Sequence, residues 1–264
     1  MLVTMDSVVT DDVLESVPAA FLDLDVEEFR SLRDEFSRFM FSYKFGMEEI
    51  ATKVGILQQE FQHLQQYNPI EHVASRLKTP ESVLDKIQRK NCEPRFETIR
   101  EKITDIAGVR VTCSFTSDVY RVSEALTRQD DLTVLEVKDY VRQPKPNGYR
   151  SLHLIVEVPV FLSSGTVTVP VEVQLRTVAM DFWASLEHKI FYKFAGEVPA
   201  HISRSLGEAA ATAALLDEEM ERLHRDVHGE LPAVPVELAR GAIQMPDSVV
   251  ARLVQQRVMF PRVT

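Results

Sequence analysis

The run TVTVPVEVQLRT, residues 166–177, most constrains the fold, because apolar and polar residues alternate along it. Side chains of a β-strand point alternately to its two faces, so the pattern predicts a strand with one buried face. The predicted buried positions are Val167, Val169, Val171, Val173 and Leu175. The other face then presents Glu172, Gln174 and Arg176 together. The carboxylate of Glu172 is therefore expected on the polar face of the strand rather than in the core.

The rest of the pattern predicts a mixed sheet flanked by helices, an α+β fold. Strands are expected over 106–115, 132–140, 149–161 and 166–176, the last two joined by a tight turn at Ser163, Ser164 and Gly165. Helices are expected over 26–66 as one or two, and over 117–127, 177–194 and 199–227, with a short candidate at 247–256. Thr79 as N-cap and Pro80 at the first helical position predict another short helix.

An apolar stripe runs along the helix predicted at 177–194. Its members recur at helical spacing, which predicts that they lie in the core. They are Ala179, Phe182, Trp183, Leu186 and Ile190.

Bulk composition excludes several classes of protein. The chain has 264 residues with 45% hydrophobic and 27% charged content, and no apolar run approaches the roughly 20 residues of a membrane span, so no membrane partner is expected. Residues 1–29 carry eight acidic residues and no lysine or arginine, which is unlike a secretion signal and favours a cytoplasmic location. Cys92 and Cys113 lack CxxC spacing, so neither a disulfide nor a zinc site is indicated.

The formal net charge of −10 argues against DNA or general nucleic-acid binding. Basic residues are instead concentrated in two clusters, a pattern that suits a small anionic ligand. The first cluster contains Arg76, Lys78, Lys86, Arg89 and Lys90. Arg76 and Lys78 are expected in the loop before the predicted short helix, on which Ser82 shares a face with the last three members of the cluster. The second contains Lys138, Arg142, Lys145 and Arg150.

Two carboxylates stand close to these clusters in the predicted sheet. Asp105 begins the run DIAGVRV, and Glu172 lies on the polar face described above. Two such carboxylates on neighbouring strands suit a magnesium ion that holds a polyphosphate, which predicts phosphoryl-type transfer. In a regular strand Asp105 and Arg110 would point to opposite faces, so both reach one ligand only if Gly108 marks a bulge or Asp105 precedes the pleat.

The stretch KPNGYRSLHL places a turn before the strand at 149–161. Lys145 and Tyr149 belong to that turn, and His153 falls on the polar face of the strand. A lone histidine or tyrosine in such a place is more often structural. Here Tyr149 is also suited to stack on a purine base, with His153 and Lys145 reaching its phosphates.

Four runs in order along the chain resemble the synthetase domain of the RelA/SpoT family, most closely its small alarmone synthetases. They are EHVASRLKTPESVLDKIQRK, DIAGVRVTCSF, NGYRSLHLIVE and VEVQLRTVAMDFWASLEHKIFYK, and the resemblance covers about residues 45–229. It implies a nucleotidyltransferase-like mixed sheet of about five strands with helical extensions at both ends. It also implies transfer of the β,γ-pyrophosphate of ATP to the 3′-hydroxyl of GDP or GTP, with GMP as a further acceptor. The products are ppGpp or pppGpp, and AMP.

The resemblance also implies roles for individual residues. Asp105 is expected to bind Mg²⁺ with help from Glu172, which also prepares the acceptor hydroxyl. The expected ATP-binding residues are Arg76, Lys78, Ser82, Lys86, Arg89 and Arg110. The expected acceptor-site residues are Lys138, Lys145, Tyr149, His153, Gln174 and Asp181. Lys138 stands where relatives often have arginine and Asp181 where they often have asparagine, and aspartate cannot donate to a guanine carbonyl.

The expected domain organisation is an acidic extension at 1–25, the synthetase domain at 26–229 and a tail at 230–264. With no HD pair and no length for a hydrolase domain, synthesis alone is expected, and the resemblance implies a homotetramer. One alternative is a nucleotidyl-transferring enzyme of the same fold, which would release pyrophosphate. The other is a catalytically degenerate module that binds guanine nucleotides or single-stranded RNA.

Overall fold

The computed structural model describes residues 26–64, 67–192 and 198–229. Within those ranges lie six helices: α1 Val26–Leu64, α2 Pro80–Arg89, α3 Phe96–Lys102, α4 Thr116–Thr127, α5 Val178–Tyr192 and α6 Ala200–His228. The same ranges contain five strands: β1 Ile70–Leu77, β2 Ala107–Cys113, β3 Thr133–Asp139, β4 Leu152–Leu162 and β5 Gly165–Thr177. None of these helices combines the length and apolar character that a membrane span requires.

The chain divides into two compact units, Met1–Ser42 and Tyr43–Thr264, with the boundary inside α1. The described residues of the first unit, 26–42, are all helical. The sheet, α2 to α6 and the candidate active site belong to the second unit. The predicted extension at 1–25, the tail at 230–264 and the helix at 247–256 lie outside the described residues, so the predicted domain boundaries stay predictions.

The five strands form one mixed sheet in the order β1-β2-β5-β4-β3. β2 and β5 are parallel, whereas the other neighbours are antiparallel. β4 and β5 form the predicted hairpin, in which Leu162 pairs with Gly165 across the two-serine turn. Gly165 has a φ of +128°, a conformation that favours glycine. The sheet therefore places the polar faces of β2, β4 and β5 side by side.

The apolar face of β5 is buried as the alternating pattern predicts. Val169, Val171, Val173 and Leu175 have no exposed surface, and Val167 at the start of the strand is partly exposed. Each fully buried side chain of this kind contributes roughly 1.5–3 kcal/mol to folding. α1 packs closely over this face, because a Cβ added to Gly46 would lie 3.1 Å from that of Val169. Burial of this face fixes which side chains of β5 point to the opposite face.

Several local predictions are confirmed. α2 begins at Pro80, and the Thr79 side chain accepts a hydrogen bond from the backbone nitrogen of Ser82, as expected for an N-cap. α1 is one helix rather than two. Asp105 precedes β2, and the pairing of β1 with β2 is regular at Gly108. Asp105 and Arg110 can therefore face one ligand because Asp105 lies before the strand, and not because of a bulge at Gly108.

Other predictions are wrong in detail. Arg76 lies in β1 rather than in a loop before α2, and β1 itself was not predicted because it is a largely exposed edge strand without alternation. Tyr149 lies outside β4, which begins at Leu152. Phe182, Leu186 and Ile190 are exposed rather than in the core, at 67%, 39% and 39%, whereas Trp183 is buried. The helix period alone did not show which side of the apolar stripe meets the protein.

Candidate active site

A polar cleft of about 270 Å³ opens on the sheet beside β1, β2 and β5. The parallel register places Gly108 opposite Glu172 and Arg110 opposite Gln174. On the other side of β2, Arg76 of β1 lies opposite Gly108. Six of the predicted site residues line this polar cleft: Arg76, Lys78, Asp105, Arg110, Glu172 and Gln174. The structure thus brings both predicted carboxylates and three predicted phosphate-binding cations into one space.

Asp105 is held at the cleft by two lysines. Lys78 Nζ lies 3.1 Å from Asp105 Oδ2 and 2.9 Å from its backbone oxygen, and Lys86 Nζ also donates to Oδ2. Burial raises the pKa of Asp105, but the hydrogen bonds and charges of the two lysines outweigh it, and the pKa is lowered overall. The second oxygen, Oδ1, is buried without a hydrogen-bond partner among the residues that the structure describes. Asp105 is therefore an ionised carboxylate with one oxygen left for a ligand.

Glu172 is held by two neighbours on the same face of the sheet. His153 Nδ1 lies 3.0 Å from Glu172 Oε1, and Gln174 Nε2 donates to Oε2 at 2.8 Å. Burial raises the pKa of Glu172, but the contacts with His153 and Gln174 outweigh it, and the pKa is lowered overall. The charge of Asp105 acts in the raising direction, as expected for two carboxylates close enough to interact.

The carboxylates and the partnerless oxygen of Asp105 fit a hard divalent cation. The described residues include no group of three or more His, Cys, Asp or Glu side chains that could hold a metal by themselves. A magnesium ion does not require three protein ligands, because it is commonly bound by one or two carboxylates together with substrate phosphates and water. The donor set of Asp105 and Glu172 therefore suits magnesium that arrives with a nucleotide.

Aromatic and cationic side chains adjoin Glu172 on β4 and the loop before it. Tyr149 Oη lies 2.8 Å from His153 Nε2. Lys145 Nζ lies 4.8 Å from the centre of the Tyr149 ring and 4.6 Å from that of Tyr140. Tyr140 also meets the ring of His153 edge-on. These contacts bring together Lys145, Tyr149 and His153, as the sequence predicted, and add Tyr140.

Arg176 joins this group, although it was not assigned a role from the sequence. It is 5% exposed, and it donates to Tyr149 Oη at 2.6 Å and to Gln174 Oε1 at 3.0 Å. Its other terminal nitrogen lies 3.2 Å from Asp181 Oδ1, an oxygen that Arg110 also reaches at 3.3 Å. The signal that could have identified Arg176 is its parity with Glu172 and Gln174 along β5.

Three predicted residues, Ser82, Arg89 and Lys138, neither line the polar cleft nor belong to the contacts described around Asp105, Glu172 and Tyr149. The Ser82 backbone is engaged in capping α2, and exposed Arg89 contacts the backbone oxygen of Asp85 at 3.4 Å. Lys138 lies opposite His153 in the β3–β4 register, but its ammonium group pairs with Glu136 at 2.7 Å. That hydrogen bond raises the pKa of Lys138. These side chains are near the site without contacting its carboxylates.

Comparison with known proteins identifies the family. A model described as "Region found in RelA / SpoT proteins" matches residues 75–197, which include both carboxylates. The chain is 46% identical over 209 residues to GTP pyrophosphokinase YwaC of Bacillus subtilis, covering 78% of this chain and 100% of that protein. The chain belongs to the RelA/SpoT family.

Solved structures of RelA/SpoT proteins agree with the fold. Small alarmone synthetase 2 of Bacillus subtilis is 47% identical, with a TM-score of 0.67, over 73% of this chain and 99% of that chain. Small alarmone synthetase 1 of the same organism, bound to its product pppGpp, is 36% identical, with a TM-score of 0.68, over 74% and 98%. These similarities confirm both the predicted relationship and the predicted mixed α+β fold.

Proposed function

We propose that this chain transfers the β,γ-pyrophosphate of ATP to the 3′-hydroxyl of GDP or GTP, forming ppGpp or pppGpp and releasing AMP. The observation that carries the proposal is the polar cleft, in which Asp105 and Glu172 lie among four cations. These cations are Arg76, Lys78, Lys86 and Arg110. The names of the relatives, GTP pyrophosphokinase and small alarmone synthetase, support the same reaction.

The cationic side chains would bind the triphosphate of ATP. Pyrophosphoryl transfer depends mainly on positioning and on neutralising charge that develops on phosphate oxygens. Arg76 and Arg110 offer planar forks for phosphate oxygens, and Lys78 and Lys86 act as point charges. Ser82 and Arg89 of α2 extend this set beyond the cleft.

Asp105 and Glu172 would hold Mg²⁺, which supplies charge neutralisation to the phosphates when it is bound. Asp105 Oδ1 is the oxygen that hydrogen-bonds to no other group within the described part of the chain. Glu172 is kept ionised by His153 and Gln174, which suits it to accept the proton of the attacking hydroxyl.

The acceptor nucleotide would lie against the aromatic group. Tyr149 offers a ring for guanine, while Lys138, Lys145 and His153 lie where phosphates or ribose can be contacted. Gln174 and Asp181 complete the predicted set, although Asp181 Oδ1 is already shared by two arginines. GMP, GDP and GTP share the base and ribose that these residues would contact.

Product analysis tests the proposal. Pure protein is incubated with ATP, Mg²⁺ and GMP, GDP or GTP, and the nucleotides are resolved by anion-exchange chromatography. The expected products are AMP and a guanine nucleotide two phosphates longer. Free pyrophosphate would instead identify nucleotidyl transfer, and RNA binding without any ATP consumption would identify the degenerate regulatory module.

The quaternary and cellular settings remain predictions. The resemblance implies a homotetramer, and composition implies a cytoplasmic protein with no membrane or DNA partner. Light scattering of the purified chain would show whether it is a tetramer. A monomeric mass at micromolar concentration would contradict that expectation.

A further inference from the structure

Arg176 occupies a position from which it reaches both oxygens of Glu172 indirectly. It lies near the end of β5, two residues beyond Gln174 and four beyond Glu172, on the same face of the strand. Its guanidinium carbon lies 5.1 Å from the centre of the Tyr149 ring. Its side chain is 6% exposed, so it is a poor candidate for direct contact with a nucleotide.

Two hydrogen-bonded paths lead from the same nitrogen of Arg176 to Glu172. The first runs from Arg176 to Tyr149 Oη at 2.6 Å, on to His153 Nε2 at 2.8 Å, and from His153 Nδ1 to Glu172 Oε1 at 3.0 Å. The second runs from Arg176 to Gln174 Oε1 at 3.0 Å and from Gln174 Nε2 to Glu172 Oε2 at 2.8 Å. One guanidinium group thus orders the neighbours of both carboxylate oxygens.

Arg176 and Glu172, the two ends of each path, determine which atom donates and which accepts in every hydrogen bond between them. A guanidinium group only donates and an ionised carboxylate only accepts. The Gln174 amide must therefore turn its oxygen to Arg176 and its nitrogen to Glu172. By the same reasoning a neutral His153 carries its proton on Nδ1, and the Tyr149 hydroxyl donates to Nε2.

A third contact holds the guanidinium group in its orientation. Arg176 Nη1 donates to Asp181 Oδ1 at 3.2 Å, which leaves Nη2 directed at Tyr149 and Gln174. Asp181 Oδ1 also lies 3.3 Å from Arg110 Nη1 in the polar cleft. Asp181 therefore links the Arg176 fork to one of the cations proposed to bind ATP.

We propose that Arg176 is a positioning residue that orients Glu172 through Tyr149–His153 and through Gln174, with Asp181 holding its guanidinium fork. The proposal rests on the function proposed above, because it assigns Glu172 to the reaction. Arg176 acts without touching either nucleotide. Lysine cannot replace it, since an ammonium group lacks the planar fork that serves three partners in fixed directions.

A double-mutant cycle in kcat tests the first path. Arg176→Lys and Tyr149→Phe are each expected to lower kcat about tenfold while the KM for ATP stays within about threefold. Because Arg176→Lys interrupts both paths, including the one through Tyr149, the double variant should lose about as much in kcat as Arg176→Lys alone rather than about a hundredfold. An additive loss, or unchanged kcat in both single variants, would overturn the proposal. The matched control is Arg128→Lys, since Arg128 is exposed and pairs with Glu124 on α4.

The tautomer of His153 gives a readout that does not depend on turnover. ¹⁵N spectra of histidine-labelled, nucleotide-free protein are recorded where the ring is neutral, and His153 is assigned by its loss in His153→Gln. The expected result is an Nδ1–H ring whose Nε2 resonance shifts in Tyr149→Phe, a variant that keeps the ring and removes only the hydroxyl. An Nε2–H ring, or an Nε2 resonance that does not move, would overturn the proposal.

The kinetic cycle and the spectra together distinguish failure of this proposal from failure of the proposed function on which it rests. If the wild-type protein forms no AMP, the proposed function fails, while the spectra still decide the hydrogen-bonded path. If AMP forms but the cycle is additive and the tautomer is wrong, only the role of Arg176 fails. Should Arg176→Lys not fold, the spectra of wild type and Tyr149→Phe still decide whether the path from Tyr149 to Glu172 exists, and its absence would overturn the proposal.

Discussion

Replacement of Tyr149 by alanine should weaken binding of the acceptor nucleotide and leave ATP binding unchanged. Stacking of a base on an aromatic ring is worth about 1–3 kcal/mol. In the structure the ring is already approached by Lys145 Nζ at 4.8 Å, and displacing such a cation costs about 0.5–1 kcal/mol. The net loss is then about 1–2 kcal/mol, which corresponds to an increase of about 5- to 30-fold in the acceptor KM.

The assay is AMP formation as a function of GDP concentration at saturating ATP, repeated with the two nucleotides exchanged. Tyr149→Phe is the matched control, because it retains the ring and should keep the acceptor KM within about twofold. An unchanged acceptor KM in Tyr149→Ala would refute the stacking role. Equal increases in the KM values of both nucleotides would show that the substitution disturbs the site as a whole.

Three further predictions concern charge. Glu172→Gln should bind ATP normally by calorimetry yet lose about 10²- to 10⁴-fold in kcat, because an amide cannot accept the hydroxyl proton. AMP formation at a rate comparable to wild type would refute the role of Glu172 as proton acceptor. Lys86→Met should raise the KM for ATP about tenfold, because one charged contact with phosphate is lost. An unaltered KM would show that Lys86 does not bind ATP. Burial raises the pKa of Asp118 from 3.8 to about 6, so the folded state binds this proton more tightly and stability from this group falls as pH rises through that window. At about 1.4 kcal/mol per pKa unit, the difference in unfolding free energy between wild type and Asp118→Asn should change by about 2 kcal/mol between pH 4 and 7 in urea titrations. A constant difference would contradict the shift.

The parts of the fold that were predictable are those in which local sequence and tertiary packing agree. Alternation along β5 identified its buried face, and that face fixed where Glu172 points. Thr79 and Pro80 located the start of α2 because capping is a local interaction. The position of Asp105 at the cleft could be predicted only on the condition that Asp105 precedes β2, because the direction of its side chain depends on where the strand begins.

The parts that were missed depend on contacts between distant segments. β1 carries mostly exposed side chains, and its strand conformation comes from backbone pairing with β2, which leaves little trace in hydrophobic periodicity. Short α3 was missed as well. The role of Arg176 becomes visible only once Tyr149 and Asp181, from a loop and from α5, are seen to meet it.

The most direct test of the account is the position of the divalent cation. Crystals of the protein with Mn²⁺ in place of Mg²⁺ and a non-hydrolysable ATP analogue would reveal the ion by anomalous scattering. The account predicts one ion within about 2.5 Å of carboxylate oxygens of both Asp105 and Glu172 and of the analogue's phosphates. An ion bound by phosphates alone, or carboxylates too far apart to share it, would contradict the account.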